Sequence, residues 1–398
     1  MLSIRDPIHG FIRADALEAA LIDSRPLQRL RHIRQLGMTF LVFPGAEHSR
    51  FSHAVGAMHL AGRVYDALAA QPGSPLDSDP RGPARRMVRA AGLLHDIGHA
   101  PFSHSAEDLF DDAIDHEAMT RRLLHLPEVE AIFAAHGGDL TPADVERLLA
   151  GGEGAVERLL AQIVSGELDA DKMDYLLRDS LYCGVRYGSY DLERLLDTIR
   201  PLRDPATGEW GIGVEEGGVH ALEALVMARY YMFTQVYFNV TGKVLELHLE
   251  QWLRESEVRW SSAPERFIEQ DDLTVEWRMR ASDSPHARAV LARQHYQLAA
   301  ETGEHPSEDE KHAFEQRLAP LLESSGPGSI LVSRAAKDPH RLGRSRVLVR
   351  SAGGGALVPM EKASHFIRHL GRIEATRVYA RPDLRDEVAR ELASECAG

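Results

Sequence analysis

The sequence predicts a mainly α protein with a short N-terminal β-hairpin and a small C-terminal α/β lobe. Three observations carry that reading. From Asp15 to about residue 325, apolar residues recur at helical spacing between Pro, Gly and capping residues. Before them, IRDPIHGFIR (4–13) sets Asp6-Pro7 and Gly10 between two short runs, a strand-turn-strand. After Gly326-Pro327-Gly328, short β-branched runs replace the helical period.

Composition narrows the function classes. The chain has 398 residues, enough for a large core and two or three lobes. With 44% hydrophobic and 27% charged residues it reads as globular. A formal net charge of −14 repels nucleic acid and phosphate at long range, so a phosphate ligand needs a local cationic pocket. Cys183 and Cys396 are too few and too distant for a disulfide framework or zinc ribbon, which fits a reducing compartment. No apolar run approaches the roughly 18 residues of a membrane span. Polar Ser3-Ile4-Arg5-Asp6 follows Met1 where a signal peptide would be apolar. A cytoplasmic protein is expected.

The elements follow in order. Asp15 to Leu36 reads as helix broken near Pro26, with Leu27, Leu30 and Ile33 on one face and Arg29, Arg31 and Arg34 elsewhere. Those arginines form either a solvated basic face or an anion-binding surface. MTFLVFPGAEHSR (38–50) reads as a strand-like run into a loop, and Ser52 to about Gln71 as a helix with His53 in its first turn. Residues 72–83 are a Pro/Gly/Ser/Asp loop. Ala84 to Gly98 is the helix expected to deliver His95 and Asp96, and Ser105 to Phe110 another helical piece. Asp115 and Thr141 are N-caps, Pro142 an N1 proline. A helix ending near Gly166 precedes one starting around Asp169, on which Asp171, Tyr175 and Asp179 fall at i, i+4 and i+8. Residues 191–200 are helical and 204–216 a hairpin. Gly218 to about Leu253 reads as one long helix whose aromatics serve the core, with Arg229 placed to meet a base or phosphate. Residues 254–325 are polar and helical, loop-like over 262–273. Strands are expected at 330–332, 346–349 and 376–379, with helices at 364–370 and 383–392.

The chemistry centres on LLHDIGHAPFSH (93–104), an apolar run ending in adjacent His and Asp, then a Gly break and two more His. One such dipeptide is ordinarily a capping or surface pair. Yet seven of the 20 histidines lie between His48 and His116, about twice a proportional share. His53, His95-Asp96 and Asp171 supply two imidazoles and two carboxylates from separate helices, a mixed N/O set suited to one divalent cation: Mn, Fe, Mg, Zn, Co or Ni. Such a set leaves coordination positions for water and substrate, as a catalytic metal requires. His99, His104 and His116 remain to move protons or bind phosphate oxygens. Lys172, Arg50 and Arg229 would offset polyphosphate charge.

On these residues the chain resembles the HD phosphohydrolase superfamily, whose H…HD…D pattern is matched by His53, His95-Asp96 and Asp171. It resembles most the deoxynucleoside triphosphate triphosphohydrolases of the SAM-and-HD-domain type, without a SAM domain. The matching segments are DPIHG (6–10), LQRLRHIRQLG (27–37), VFPGAEHSRFSHAVG (42–56), HDIGHAPFSH (95–104), DHE (115–117), DADKMDYLLRDS (169–180) and ARYYMFTQVY (228–237). The resemblance implies an HD-domain helical catalytic core over 1–245, a helical extension over 246–325 and the α/β lobe over 326–398. It implies that His53, His95, Asp96 and Asp171 are the metal ligands, one divalent ion per subunit. His99 and His104 would contact the α-phosphate and organise the attacking water. His116, oriented by Glu117 or Glu107, would act as general acid for the leaving 5′-oxygen or support the base. Arg50, Lys172 and Arg229 would hold the triphosphate. Gln35, Leu36, Tyr175 and Asp179 would lie near the sugar 3′-hydroxyl, and Tyr237 would crowd the 2′ position. Asp23, Gln28 and Arg31 match guanine-reading positions of an activator site, though Leu2 stands where the family has a Lys. Phe233 and Phe238 replace polar residues near the base. The products would be a deoxynucleoside and inorganic triphosphate, from a homodimer or homotetramer. Two other readings compete. One is a related phosphohydrolase or phosphodiesterase acting on monophosphates, cyclic nucleotides or nucleotide analogues. The other is a nucleotide or nucleic-acid binding regulator using the Arg25–Arg34 face.

Overall fold

The computed structural model describes residues 1–79, 81–102, 109–112, 114–326, 328–338, 340, 347–353 and 356–393. His104, Glu107 and all but the last two residues of the helical piece expected from Ser105 to Phe110 lie outside them. The fold is mainly α, as the helical periodicity requires.

The chain opens with an antiparallel hairpin, β1 (Leu2–Asp6) and β2 (Gly10–Ala14), pairing Ile4 with Ile12. The Asp6 carboxylate accepts from the amides of Ile8 and His9, which closes the turn. α1 (Ala16–Asp23) starts on a capping box of Asp15 and Glu18. α2 (Arg25–Arg29) runs into a 3-10 turn, Leu30–His32. Leu27, Leu30 and Ile33 are fully buried, as their shared face demands. The arginines do not form an open basic face. Arg29 is buried against Phe267 and donates to the Gln270 carbonyl at 2.7 Å. Arg25 pairs with Glu128 and Arg34 with Glu276. The chain's own acids and carbonyls therefore engage these cations.

The strand expected at 38–50 is a 3-10 helix, Gly37–Leu41. A short apolar run does not declare its backbone. Among the described residues Gly37–Leu41 joins no sheet, and it buries Met38 and Thr39 by tightening. α3 (Arg50–Ala69) and α4 (Pro83–Leu94) pack together at the centre of the core. α4 stops short of the expected Gly98, so His95 and Asp96 stand in the turn that follows it. Next come α5 (His116–Leu124), α6 (Pro127–His136), α7 (Pro142–Leu149), α8 (Gly154–Val164), α9 (Ala170–Tyr182) and α10 (Leu192–Thr198). Asp115 and Thr141 cap α5 and α7 as anticipated, and Asp169, near which a helix was expected to start, caps α9.

β3 (Ile199–Arg203) and β4 (Trp210–Glu215) form the expected hairpin. The single helix read from 218 to 253 is instead broken. α11 (Val219–Met232) passes into a π turn, Phe233–Tyr237, and α12 (Val240–Glu255) restarts on Asn239, whose side chain accepts from Thr241 and Gly242. α13 (Pro264–Phe267), α14 (Asp272–Arg280) and α15 (Pro285–Leu291) follow, then β5 (Gln297–Glu301), an unforeseen strand, and α16 (Glu308–Ser324). β6 (Ile330–Lys337), β7 (Leu348–Arg350), β8 (Leu357–Pro359), α17 (Met360–Ala363), α18 (His365–His369), β9 (Ile373–Ala380) and α19 (Arg385–Ala393) complete the chain. The late strands divide between two sheets. β5-β9-β6 forms one, while β7 and β8 extend the β3-β4 hairpin into the order β3-β4-β7-β8. One apolar core runs from Ile12 to Ile367, and a smaller one joins α16, α19 and the β5-β9-β6 sheet.

Candidate active site

Three segments meet beside the α3–α4 pair. His53 lies in the first turn of α3, His95 and Asp96 follow α4, and Asp171 lies in the first turn of α9. Asp171 Oδ1 is 3.1 Å from His53 Nε2 and 3.6 Å from His95 Nε2. His53, His95 and Asp171 form a group whose ligand atoms all lie within 4.8 Å of one another. Asp96 Oδ1 is 3.3 Å from His95 Nε2, and its Oδ2 is 3.9 Å from His53 Nε2 and bonded to the Arg50 guanidinium.

The donor chemistry fits a divalent cation. His53 Nδ1–H donates to Asp174 Oδ2 at 2.9 Å, and His95 Nδ1–H donates to the Gly92 carbonyl at 2.9 Å. Both Nε2 atoms are buried and make no hydrogen bond. Fixing Nδ1–H on an acceptor leaves the Nε2 lone pair for a metal, the usual way a protein orients a ligating imidazole. The electrostatics agree. Burial alone would lower His53, but the Asp171 and Asp174 carboxylates outweigh it and raise it to about 10. Burial would raise Asp171 and Asp96, but the surrounding imidazoles, with Arg50 for Asp96, hold both below the ordinary carboxylate range. The carboxylates that favour a proton on His53 Nε2 would equally favour a cation there, and binding it would displace that proton and free the lone pair.

The residues behind this group were not singled out from the sequence. Asp174 is fully buried and accepts from His53, from His9 Nε2 at 2.7 Å and from the Arg178 guanidinium at 2.8 Å. Arg178 continues to Asp6 at 2.9 Å, tying the N-terminal turn to α9. The signals were spacing: Asp174 stands three residues after Asp171, and Asp6 and His9 belong to DPIHG. Gly56 on α3 faces the same pair, where a Cβ would collide with Asp174 and Arg178. In the turn after Asp96, the Gly98 amide donates to Thr120 Oγ1 at 3.1 Å, which itself donates to the His95 carbonyl.

A cavity of about 970 Å³ opens in front of the group. It is lined by Gln35, Leu36, Arg50, Lys172, Tyr175, Asp179, Arg229 and Tyr237, the full expected substrate set, and by His99, His116 and Glu117. The His99 and His116 rings are 4.2 Å apart, and His99 Nδ1 is 3.2 Å from Asp96 Oδ1. Asp171, Tyr175 and Asp179 share the cavity face of α9, as their spacing implied. Asp179 is held on both oxygens, by Tyr237 Oη–H and by His48 Nε2, each at 2.8 Å. His48 also escaped the sequence reading; it stacks on Tyr182 at 4.5 Å. Burial pushes the Tyr175 phenol up to about 12 despite nearby Arg229 and Lys172, so it remains a hydrogen-bond donor at neutral pH. Lys172 reaches back to Asp169 and to the Gly166 carbonyl. The far wall comes from the C-terminal part: Ser333 to Lys337 of β6, facing Phe233 and Phe238, with Lys337 Nζ 5.3 Å from the Phe233 ring centre. Asp23, Gln28 and Arg31 lie away from this cavity. Arg31 Nε donates to Gln28 Oε1 at 2.8 Å and its guanidinium covers Phe51.

This fold and site define an HD-type hydrolase core, and comparison with known proteins agrees. The HD domain family matches residues 50–179 and the HD associated region residues 191–396, the latter more than half of the chain. The chain belongs to the HD-domain phosphohydrolase superfamily. Its relatives within that superfamily include proteins described as deoxynucleoside triphosphate triphosphohydrolases. It is 34% identical over 268 residues to the deoxynucleoside triphosphate triphosphohydrolase SAMHD1 homolog of Dictyostelium discoideum, covering 64% of this chain and 49% of that protein. It is 38% identical over 290 residues to the uncharacterised protein YwfO of Bacillus subtilis, covering 70% of this chain and 63% of that one. The chain thus spans from about half to just under two thirds of these curated relatives. A crystal structure of a hypothetical protein from Aquifex aeolicus superposes with a TM-score of 0.82 at 30% identity, covering 98% of this chain and 99% of that one.

Proposed function

We propose that the chain hydrolyses deoxynucleoside triphosphates to a deoxynucleoside and inorganic triphosphate, with water attacking the α-phosphorus. The observation that carries the reading is a juxtaposition. The His53–His95–Asp171 group, with Asp96 beside it, borders a cavity that Tyr175, Asp179, Tyr237 and Arg229 also line. That arrangement offers cations and phenols to a sugar phosphate within reach of a metal site. His53, His95, Asp96 and Asp171 would hold one divalent cation, manganese among the candidates, and it would supply Lewis-acid polarisation and a lowered water pKa. The chain's own groups do the rest. His99 and His116, ring against ring, are placed to bind phosphate oxygen and pass a proton to the leaving 5′-oxygen, with Glu117 nearby. Arg229 and Lys172 offset the triphosphate charge, while Arg50 fixes Asp96. Asp179 accepts from a sugar 3′-hydroxyl, and Tyr237, bonded to Asp179, occupies the space a 2′-hydroxyl would need. The protein would act as a homodimer or homotetramer in the cytoplasm. Among the described residues, no helix is long and apolar enough to cross a membrane.

The test incubates purified protein with each dNTP and Mn2+ or Mg2+ and identifies products by mass. Triphosphate with deoxynucleoside is expected. Orthophosphate alone would favour a monophosphate or cyclic-nucleotide substrate, and intact dNTPs beside cleavage of another phosphoester would end the dNTP assignment. Asp171→Ala should lose bound metal and activity together, and an active variant without metal would refute the ligand set.

A further inference from the structure

Asp272 begins α14, yet its side chain does not serve its own helix. That helix is capped by Asp271, which accepts from the Thr274 amide at 2.8 Å. Asp272 is 1% exposed and turned inward. Its Oδ1 accepts from the Phe102 amide and its Oδ2 from the Arg34 amide, both at 2.9 Å. Phe102 lies three residues past His99 and takes a left-handed backbone, φ 56°. Such a conformation is costly for a bulky residue and persists where its surroundings impose it. Arg34 bridges to Ser49 and precedes Gln35, whose amide donates to the His48 carbonyl at 3.0 Å. The Arg50 amide donates to the Ile33 carbonyl at 2.9 Å. One carboxylate therefore joins the turn that carries His99 to the bridge that carries Gln35 and Arg50. Arg29 repeats the link, donating to Gln270 and, at 3.4 Å, to the carbonyl of Ile97. The charged groups around Asp272 are Asp271, Arg29 and the Arg34 guanidinium, the last 3.8 Å from Oδ2 and itself bonded to Glu276. Burial raises the Asp272 carboxyl to about 6 in spite of both amides and both arginines. A buried carboxylate is a costly way to fill space; the two amide donors account for this one.

We propose that Asp272 is a positioning residue of the active site: by clamping the Phe102 and Arg34 amides it sets where His99 and Gln35 stand against the metal-binding group. The proposal rests on the cavity being catalytic and not on which ester it cleaves. Asp272→Asn keeps the shape and one acceptor oxygen, but turns an NH2 toward the second amide. In the full chain it should quicken hydrogen exchange in peptides covering 97–102 and 33–36. It should lower kcat about tenfold or more, as sub-ångström misplacement does, with bound metal per chain unchanged. Val275→Ala, which hollows the same helix from a buried position without touching either amide, is the stability control. It should lower Tm and leave kcat at the wild-type value. If the Asn chain does not fold, Asp272→Ser, which keeps one acceptor, is read the same way. Rates are taken on dNTPs and on bis(p-nitrophenyl) phosphate. A wild type active only on the aryl ester would end the dNTP reading and leave this one to the exchange and the relative rates. Unchanged exchange, unchanged kcat, or an equal loss of kcat in Val275→Ala would overturn the proposal.

Discussion

A single side chain decides whether His53 can be a ligand, and it is Asp174. Its two oxygens accept from His53, His9 and Arg178, whose side chains are all fully or nearly fully buried. Burial would raise this carboxyl; Arg178, His53 and His9 hold it well below the usual range instead. Asp174→Asn preserves volume but offers one acceptor where two are used. Losing the partner of a ligating imidazole typically costs about 10- to 100-fold in metal affinity. The expected outcome is a raised metal requirement with activity largely restored by excess Mn2+, read by titrating metal against rate. Wild-type affinity in this variant would mean that the Asp174 carboxylate is not what orients His53 for the metal. Asp174→Ala should be harsher, because Arg178 and His9 then keep buried charge or polarity without a partner, a loss of roughly 3–5 kcal/mol. Urea unfolding measures it.

At the scale of the element, α9 is the organiser, because its opposite sides do different work. Asp171, Tyr175 and Asp179 face the cavity, whereas Asp174 and Arg178 face α3 and the hairpin turn. Its start is fixed by Asp169, which accepts from the amides of Lys172 at 2.7 Å and Gly166 at 2.8 Å and also holds the Lys172 ammonium. Asp169→Ala should cost about 1–2 kcal/mol as a lost cap. It should also loosen Lys172 and so raise KM more than it lowers kcat; a pure stability loss with unchanged KM would sever Lys172 from substrate binding. The start of this helix near Asp169 was legible in the sequence, as were the caps Thr141 and Asp115, because capping is local chemistry written in adjacent residues. The cavity face of α9 was legible too, through i, i+4 spacing. Contacts between distant segments were not. His48 under Asp179, His9 under Asp174 and Asp272 under Phe102 each depend on which helix passes which, and periodicity is silent on that. Nor does it distinguish the 3-10 turn at Gly37–Leu41 from a strand, or the π turn at Phe233–Tyr237 from plain helix. The latter turns Phe233 and Tyr237 into the cavity, the functional setting where π turns recur.

Across the whole molecule, the region after α11 is part of the site and of the fold's response to acid. Strands β7 and β8 complete the β3-β4 sheet, and β6 lines the cavity, so the C-terminal part is built into the rest of the fold at two places. The joint between α12, α15 and β5 rests on two histidines. The Tyr296 amide donates to His248 Nε2 at 3.1 Å, which leaves His248 Nδ1–H to donate to His286 Nδ1 at 2.8 Å. Both rings must then be neutral, since protonating His248 Nε2 would set two donors against each other. Burial enforces this, lowering His248 to about 3 and His286 below its ordinary value. The sign follows from proton counting. Unfolded histidine takes up a proton near 6.5 and the folded ring does not, so the unfolded chain binds more protons below that pH and stability falls as pH falls. Each unit of depression at a fully buried ring is worth about 1.4 kcal/mol. Asp272, raised to about 6, and Asp169, also raised by burial, work the other way, gaining stability as pH drops toward 4, whereas His59, lowered to about 4 by burial, adds to the two imidazoles. Urea midpoints should therefore decline between pH 6.5 and 4. His248→Gln, which can still accept from Tyr296 but carries no titrating proton, should flatten that decline, and a parallel curve in the variant would show that other groups set the acid limit.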